Sequence, residues 1–185
     1  MEDEKIIQLF WERKESAIEE LNQKYGAFYM KIANNILDNR QDAEECVNDA
    51  YLGAWNNIPP ERPNPLRAYI CRIVRNQAIK RYHANRAKKR NSTYDVALEE
   101  LGNCIPAIGS VEEQWNAKEV ARSIDTFLEC LDSENRVLFV RRYWYGESVS
   151  DLAGLFQISS HNVTVRLSRI REKLKKHLKK EGIWL

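Results

Sequence analysis

Four of the five prolines in this 185-residue chain fall in one short segment, Ile58-Pro59-Pro60-Glu61-Arg62-Pro63-Asn64-Pro65. Proline lacks an amide donor and bars the residue before it from helix, so this segment reads as a stiff exposed loop. The rest of the chain is left almost free of the residue that most disrupts helices. There the apolar residues recur at spacings of three and four, and no segment sustains the period-two alternation of a half-buried strand. The expected fold is all-α: two small helical domains joined by a flexible linker, the C-terminal one a helix-turn-helix. A chain of this length suits two modest cores.

From Ile6 to Leu37 the apolar positions include Leu9, Phe10, Ala17, Leu21, Tyr25, Tyr29, Ile32 and Ile36, and Gly26 is placed between two helices. Asn39 and Arg40 mark a turn. Asp42 then stands near the start of a helix, where a carboxylate complements the free amides. That helix is expected to bury Val47, Ala50, Tyr51, Ala54 and Trp55 and to show Glu45, Asn48, Asp49 and Asn56. After the proline segment a further helix is expected from Leu66 to about Arg90. Leu66, Ile70, Ile73, Val74 and Gln77 lie on one side of it, and Arg72, Arg75, Asn76, His83 and Arg86 on the other. Gly102, Pro106, Gly109 and Ser110 fall where periodicity is weak, which divides the chain into a domain at 1–91, a linker at 92–111 and a domain at 112–185. The second domain reads as helices at 112–130 and 133–145, the latter capped by Ser133, then 148–156, a turn at Gln157-Ile158-Ser159, and a long helix from Ser160 to about Lys180.

Charge is strongly patterned. Residues 1 to 65 carry 7 basic and 13 acidic side chains, 66 to 91 carry 9 and none, 92 to 135 carry 2 and 10, and 136 to 185 carry 11 and 4. Two basic blocks set between acidic ones suggest two contacts with a polyanion and an acidic surface for a protein partner. Cys46, Cys71, Cys104 and Cys130 are widely spaced, with no Cys-x-x-Cys pair, and read as reduced, buried thiols rather than zinc ligands or a disulfide framework. His83, His161 and His177 lack metal-spaced partners, no glycine-rich phosphate loop or nucleophile elbow is present, and neither an enzyme, a metal nor a cofactor is expected. No apolar run spans a bilayer, and the acidic stretch Met1 to Leu9 is unlike a signal peptide, so the expected location is the cytoplasm.

In the last long helix Val163, Leu167, Ile170, Leu174 and Leu178 form an apolar stripe, leaving Thr164, Val165, Ser168, Arg169, Lys175 and Lys176 on the other side. A basic, hydroxyl-bearing face suits the major groove, because Arg pairs with guanine edges, Thr methyls meet thymine methyls and Lys neutralises phosphate. Three stretches then resemble bacterial sigma factors of the extracytoplasmic-function type, in the family's order. Asp42-Ala43-Glu44-Glu45-Cys46-Val47-Asn48-Asp49-Ala50-Tyr51-Leu52-Gly53-Ala54-Trp55 resembles the core-enzyme-binding helix. Leu66-Arg67-Ala68-Tyr69-Ile70-Cys71-Arg72-Ile73-Val74-Arg75-Asn76-Gln77-Ala78-Ile79 resembles the promoter-melting segment. Glu147-Ser148-Val149-Ser150-Asp151-Leu152-Ala153 with Asn162-Val163-Thr164-Val165-Arg166-Leu167-Ser168-Arg169-Ile170-Arg171 resembles the second DNA-binding domain.

The resemblance implies that 1–91 is sigma region 2 and 112–185 is sigma region 4. It implies contact with RNA polymerase core, its beta-prime and beta subunits, through Asp42, Glu45, Asn48 and Asp49, minus-ten DNA at Asn64, Arg67, Arg72, Arg75 and Asn76, and minus-thirty-five DNA at Thr164, Val165, Arg166, Ser168, Arg169 and Arg171. Within the last group Arg166 and Arg171 are expected nearer the DNA backbone. Promoter DNA and an anti-sigma factor are the other implied partners. Tyr69 stands where the family usually has Trp, Lys80 where Asp is frequent and Gln157 where Gly is common, so class rather than promoter sequence is implied. The rival reading is a helix-turn-helix repressor or activator that binds operators as a homodimer without polymerase.

Overall fold

The structure is a computed structural model that describes residues 1–85, 92–102, 104–105 and 113–183, residues 113–116 by backbone alone. The stretch 86–90 expected to prolong a helix lies outside the described residues, as do Arg86, Pro106, Gly109, Ser110 and Val111. Every regular element among the described residues is α-helical, and the contacts divide the chain into two compact units, Met1–Ser92 and Thr93–Leu185. None of these helices is long and apolar enough to cross a membrane.

The first unit contains α1 (Asp3–Trp11), α2 (Ser16–Leu37), α3 (Arg40–Asn57) and α4 (Leu66–Asn85). The α2–α3 turn is two residues long because Asp38 takes the left-handed conformation (φ 47°) and Asn39 caps α3, its side chain accepting from the Asp42 amide at 3.2 Å. Small residues let α3 lie close to its neighbours: Ala43, Ala50 and Ala54 are all 0% exposed. Gly26 does not break a helix; α2 runs through it. A Cβ there would overlap the Asn22 carboxamide, which accepts the Tyr51 hydroxyl of α3 at 2.9 Å, so the glycine serves a close approach. In α4 the buried stripe is Leu66, Ile70, Cys71, Val74, Ala78 and Tyr82, rotated from the expected one, with Ile73 and Gln77 only half-buried. Trp55, expected in the core, is likewise half-buried and carries the Arg13 guanidinium over its ring. The proline loop is exposed at Pro60, Glu61, Arg62, Asn64 and Pro65, yet it is anchored by two buried residues, Ile58 and Pro63.

The second unit contains α5 (Thr93–Gly102), α6 (Glu113–Glu129), α7 (Ser133–Tyr143), α8 (Val149–Phe156) and α9 (Ser160–Lys180). Its core is built from Phe127, Leu131, Leu138, Phe139, Leu152 and the stripe Val163, Leu167, Ile170, Leu174 and Leu178 expected of α9. Asp132, not Ser133, caps α7: its carboxylate accepts the Asn135 amide at 2.9 Å, one residue earlier than expected, because an ionised acceptor is the stronger partner for a helix start. Gly146 adopts φ 66° just beyond α7. Three of the cysteines are buried thiols, but Cys130 is exposed at the end of α6.

The difference of most consequence is α5, since ten residues of the expected linker form a helix within the second unit. Ala97 joins the core, and Leu101 and Ile105 pack against it. Half-buried Glu100 stands beside Leu101 on the same helix.

Candidate functional site

On the first unit two neighbouring helices present different chemistry. Arg81 of α4 pairs with Glu45 at 2.5 Å and Asp42 at 3.4 Å, and the Asn85 amide donates to Asp42 at 3.2 Å. Two of the four acidic-face candidates of α3 are therefore tied to α4. Asn48 and Asp49 remain exposed, and between them and Asn56 lies Leu52, 59% exposed. The sequence reading missed Leu52. Its signal was present, since 45, 49, 52 and 56 follow a helical spacing and place a leucine in the middle of a polar face.

The outward face of α4 gathers Tyr69, Arg72, Asn76, Lys80 and His83, one turn after another. Arg72 lies over the Tyr69 ring at 5.7 Å, and Arg72 and Asn76 are exposed. Burial pushes the Tyr69 hydroxyl above its ordinary value, and the Glu61 carboxylate beside it adds to the rise. Tyr69 is thus half-buried at the foot of the proline loop and serves as a platform for the arginine. Arg75 is half-buried at the edge of this face. Arg67 is not on it: its guanidinium sits over Phe28 of α2 at 4.8 Å, while its carbonyl accepts the Tyr29 hydroxyl. Asn64 is exposed on the loop and, with Arg62, Asp3 and Lys5, lines a groove against α1.

On the second unit Gln157 closes α8 in the left-handed conformation (φ 55°), and Ser159 opens α9 by accepting the Asn162 amide at 3.2 Å. This gives two helices across a three-residue turn, with half-buried Ala153 packed against the core. The expected reading residues separate into two groups. Ser168, Arg169 and Thr164 are exposed, although the Thr164 hydroxyl donates to the Ser160 carbonyl at 3.0 Å, which leaves its methyl and oxygen lone pairs outward. Val165 is half-buried. Arg166 is turned aside, donating to Asn135 at 3.0 and 3.1 Å and pairing with Glu134 at 3.1 Å. Arg171 is turned inward, donating to the Tyr143 hydroxyl at 2.7 Å and to Glu100 at 3.2 Å. Expected near a nucleic-acid backbone, it instead joins a polar cluster.

That cluster was invisible in the sequence pattern. The Glu100 carboxylate also accepts from Arg142 at 2.9 and 3.4 Å and from the Tyr143 hydroxyl at 2.9 Å. Arg142 is only 2% exposed and donates further to the Glu147 carbonyl at 2.8 Å, while Arg141 grips the Glu147 carboxylate at 2.9 and 3.0 Å. Burial alone would raise the Glu100 carboxyl; the hydrogen bonds and charges of Arg142, Tyr143 and Arg171 outweigh it and hold the group below its ordinary value. Five of the eleven basic side chains of the C-terminal block are therefore engaged within the unit. Arg136, Arg141, Arg142, Arg166 and Arg171 all have partners within the unit, and the outward positive charge comes from Arg169 and lysines such as Lys173, Lys176 and Lys179. Among the described residues no cluster of three or more His, Cys, Asp or Glu is placed to hold a metal ion.

Residues 21–88 match sigma-70 region 2, and residues 121–174 match sigma-70 region 4. The two matches fall on separate units, in family order, and cover about two thirds of the chain. The chain belongs to the sigma-70 family. No curated protein matches it. Among solved structures it is similar to that of CnrH in complex with the cytosolic domain of CnrY, at 21% identity over 96% of this chain and 97% of that one, with a TM-score of 0.45. As a sigma factor, the chain carries its α3 and α4 faces within region 2 and its helix-turn-helix within region 4. The α5 helix, with Glu100, lies in neither matched segment.

Proposed function

We propose that this is a sigma factor of the extracytoplasmic-function type, acting in the cytoplasm. It docks on core RNA polymerase through the Asn48–Asp49–Leu52 face of α3, opens the minus-ten element with the Tyr69–Arg72–Asn76 face of α4, and reads the minus-thirty-five element with Thr164, Val165, Ser168 and Arg169 of α9. Arg75 stands at the rim of the melting face, and Asn64 and Arg67 flank it. The observation that carries this reading is that two separate helical units each expose a polar, basic helix face, while the first also exposes on α3 a polar face with one carboxylate, Asn48, Asp49 and Asn56, around Leu52. Both charge signs on one unit suit a protein that touches polymerase and DNA together. On the second unit the exposed Val137, Trp144 and Leu155 offer apolar area for a protein, which suits the polymerase beta subunit, as the α3 face suits beta-prime. An anti-sigma protein belongs to the same reading as a competitor for these surfaces.

The test is copurification with core polymerase followed by run-off transcription. Transcription that begins at one site only when the chain is present supports the reading; duplex binding by a homodimer without polymerase sinks it. Asp49→Lys is expected to weaken core binding in a pull-down titration without changing the melting temperature, and the loss shrinks as salt rises because the contact is at an exposed rim. Equal affinity would remove this face from the interface. Arg169→Ala is expected to relax preference at one upstream promoter position, by about 1 to 3 kcal/mol of discrimination. A uniform loss across all sequences would make Arg169 a phosphate clamp instead.

A further inference from the structure

Directional contacts on both flanks hold α9 against the rest of its unit. On one flank Arg166 reaches the start of α7 through Asn135 and Glu134. On the other, Arg171 reaches the end of α7 through the Tyr143 hydroxyl and through Glu100, which stands on α5 and also holds the buried Arg142. The apolar stripe between these flanks sets the distance of α9 from the core, but apolar contact has no direction and leaves small rotations inexpensive. Charge-assisted hydrogen bonds are directional and resist them. A rotation of about 20° moves an atom ~6 Å from the helix axis by about 2 Å, far more than a hydrogen bond tolerates. Ser168 and Arg169 lie within one turn of Arg171, where such a rotation would decide whether they meet a base edge.

We propose that Glu100 is a positioning residue for promoter reading: by joining Arg142 and Tyr143 of α7 to Arg171 of α9, it fixes the rotation of the reading helix and so the register of Ser168 and Arg169 on the upstream element. The inference rests on the reading of α9 as the DNA-reading helix. It gives α5 a role in recognition that requires no contact between α5 and DNA. Arg171 acts inside the protein, as the far end of the same strut, and its charge is spent on Glu100 rather than on phosphate.

The test uses the full chain loaded on core polymerase and a duplex enriched by that wild-type complex from a randomised pool. The quantity read is the ratio of affinities for the enriched and a scrambled duplex, at a temperature where circular dichroism shows each variant folded. Glu100→Gln and Arg171→Met are each expected to lower this ratio about tenfold, the order of one lost base contact. Affinity for the scrambled duplex and the salt dependence stay unchanged, and the double variant is no worse than either single one because both cut one strut. Arg171→Met leaves the Glu100–Arg142 pair in place and carries the test if Glu100→Gln fails to fold. An unchanged ratio alongside a lowered melting temperature overturns the proposal, since it leaves Glu100 purely structural. A salt slope reduced by about one in Arg171→Met also overturns it, since that marks a phosphate contact. A wild-type complex that enriches no sequence shows that the sigma-factor reading itself has failed, and the positioning role falls with it.

Discussion

Arg142→Met is expected to lower the stability of the second unit by about 3 kcal/mol, read as a fall of at least about 12 °C in its melting temperature by circular dichroism. Methionine restores most of the buried volume but donates no hydrogen bond. It removes the donor that the Glu147 carbonyl now accepts at 2.8 Å, and takes from Glu100 the partner at 2.9 Å. The loss stays near the lower end for a broken buried pair because Tyr143 and Arg171 still hold the carboxylate. Exposed Arg169→Met is the control and should move stability by no more than about 0.5 kcal/mol. A pH series adds a second reading. Glu100 titrates below its ordinary value in the folded chain, so its contribution is complete above the ordinary glutamate range, about 4.3, and drains away as the pH falls through the lowered folded value. A melting temperature indifferent to Arg142→Met would mean that the cluster is decorative.

Arg72→Ala combined with Asn76→Ala is expected to cut transcription from an intact duplex promoter by about 100-fold while leaving core binding intact. Opening requires bases to leave the stack, at a few kcal/mol, and the freed strand to be held by stacking platforms and cations. Arg72 lies over Tyr69, and Asn76 stands one turn further on with both a donor and an acceptor. Together they offer an exposed cation and a hydrogen-bonding group on the α4 face. A template already mismatched across the minus-ten region should restore much of the signal, since it removes the opening cost. Normal transcription from the duplex would exclude this face from melting and reduce the first basic block to general attraction for DNA.

The all-helical character and the helix-turn-helix were legible in the sequence because they rest on local signals: apolar spacing, proline confinement, and turn residues between the apolar stretches. The stripe of α9 from Val163 to Leu178 is an example, since five apolar residues at spacings of three and four admit one burial pattern. What escaped was set by contacts distant in sequence. Gly26 resembles a helix break until Tyr51 is placed against Asn22. Residues 93–102 resemble a linker because the helix is short and its last turn carries a half-buried glutamate, which belongs there only once Arg142 and Arg171 arrive from α7 and α9. For the same reason charge counting overstated the outward basic surface. It could not separate Arg169, which is exposed, from Arg166 and Arg171, which are bonded inside the unit. Leu52 was assigned to neither face of α3, although its spacing from Asp49 and Asn56 places it on the exposed one.

The placement of α5 also bears on how such proteins exchange parts. The matched region 4 begins at 121, and the expected domain at 112, but the carboxylate that neutralises Arg142 comes from residue 100, and the Thr93 hydroxyl donates to the Gly146 carbonyl at 3.2 Å. A chimera joined at 112 would transplant the arginine without its counter-charge. One joined at 92 carries both, so the piece of chain that brings Arg142 together with its counter-charge is longer than the segment by which the family is recognised.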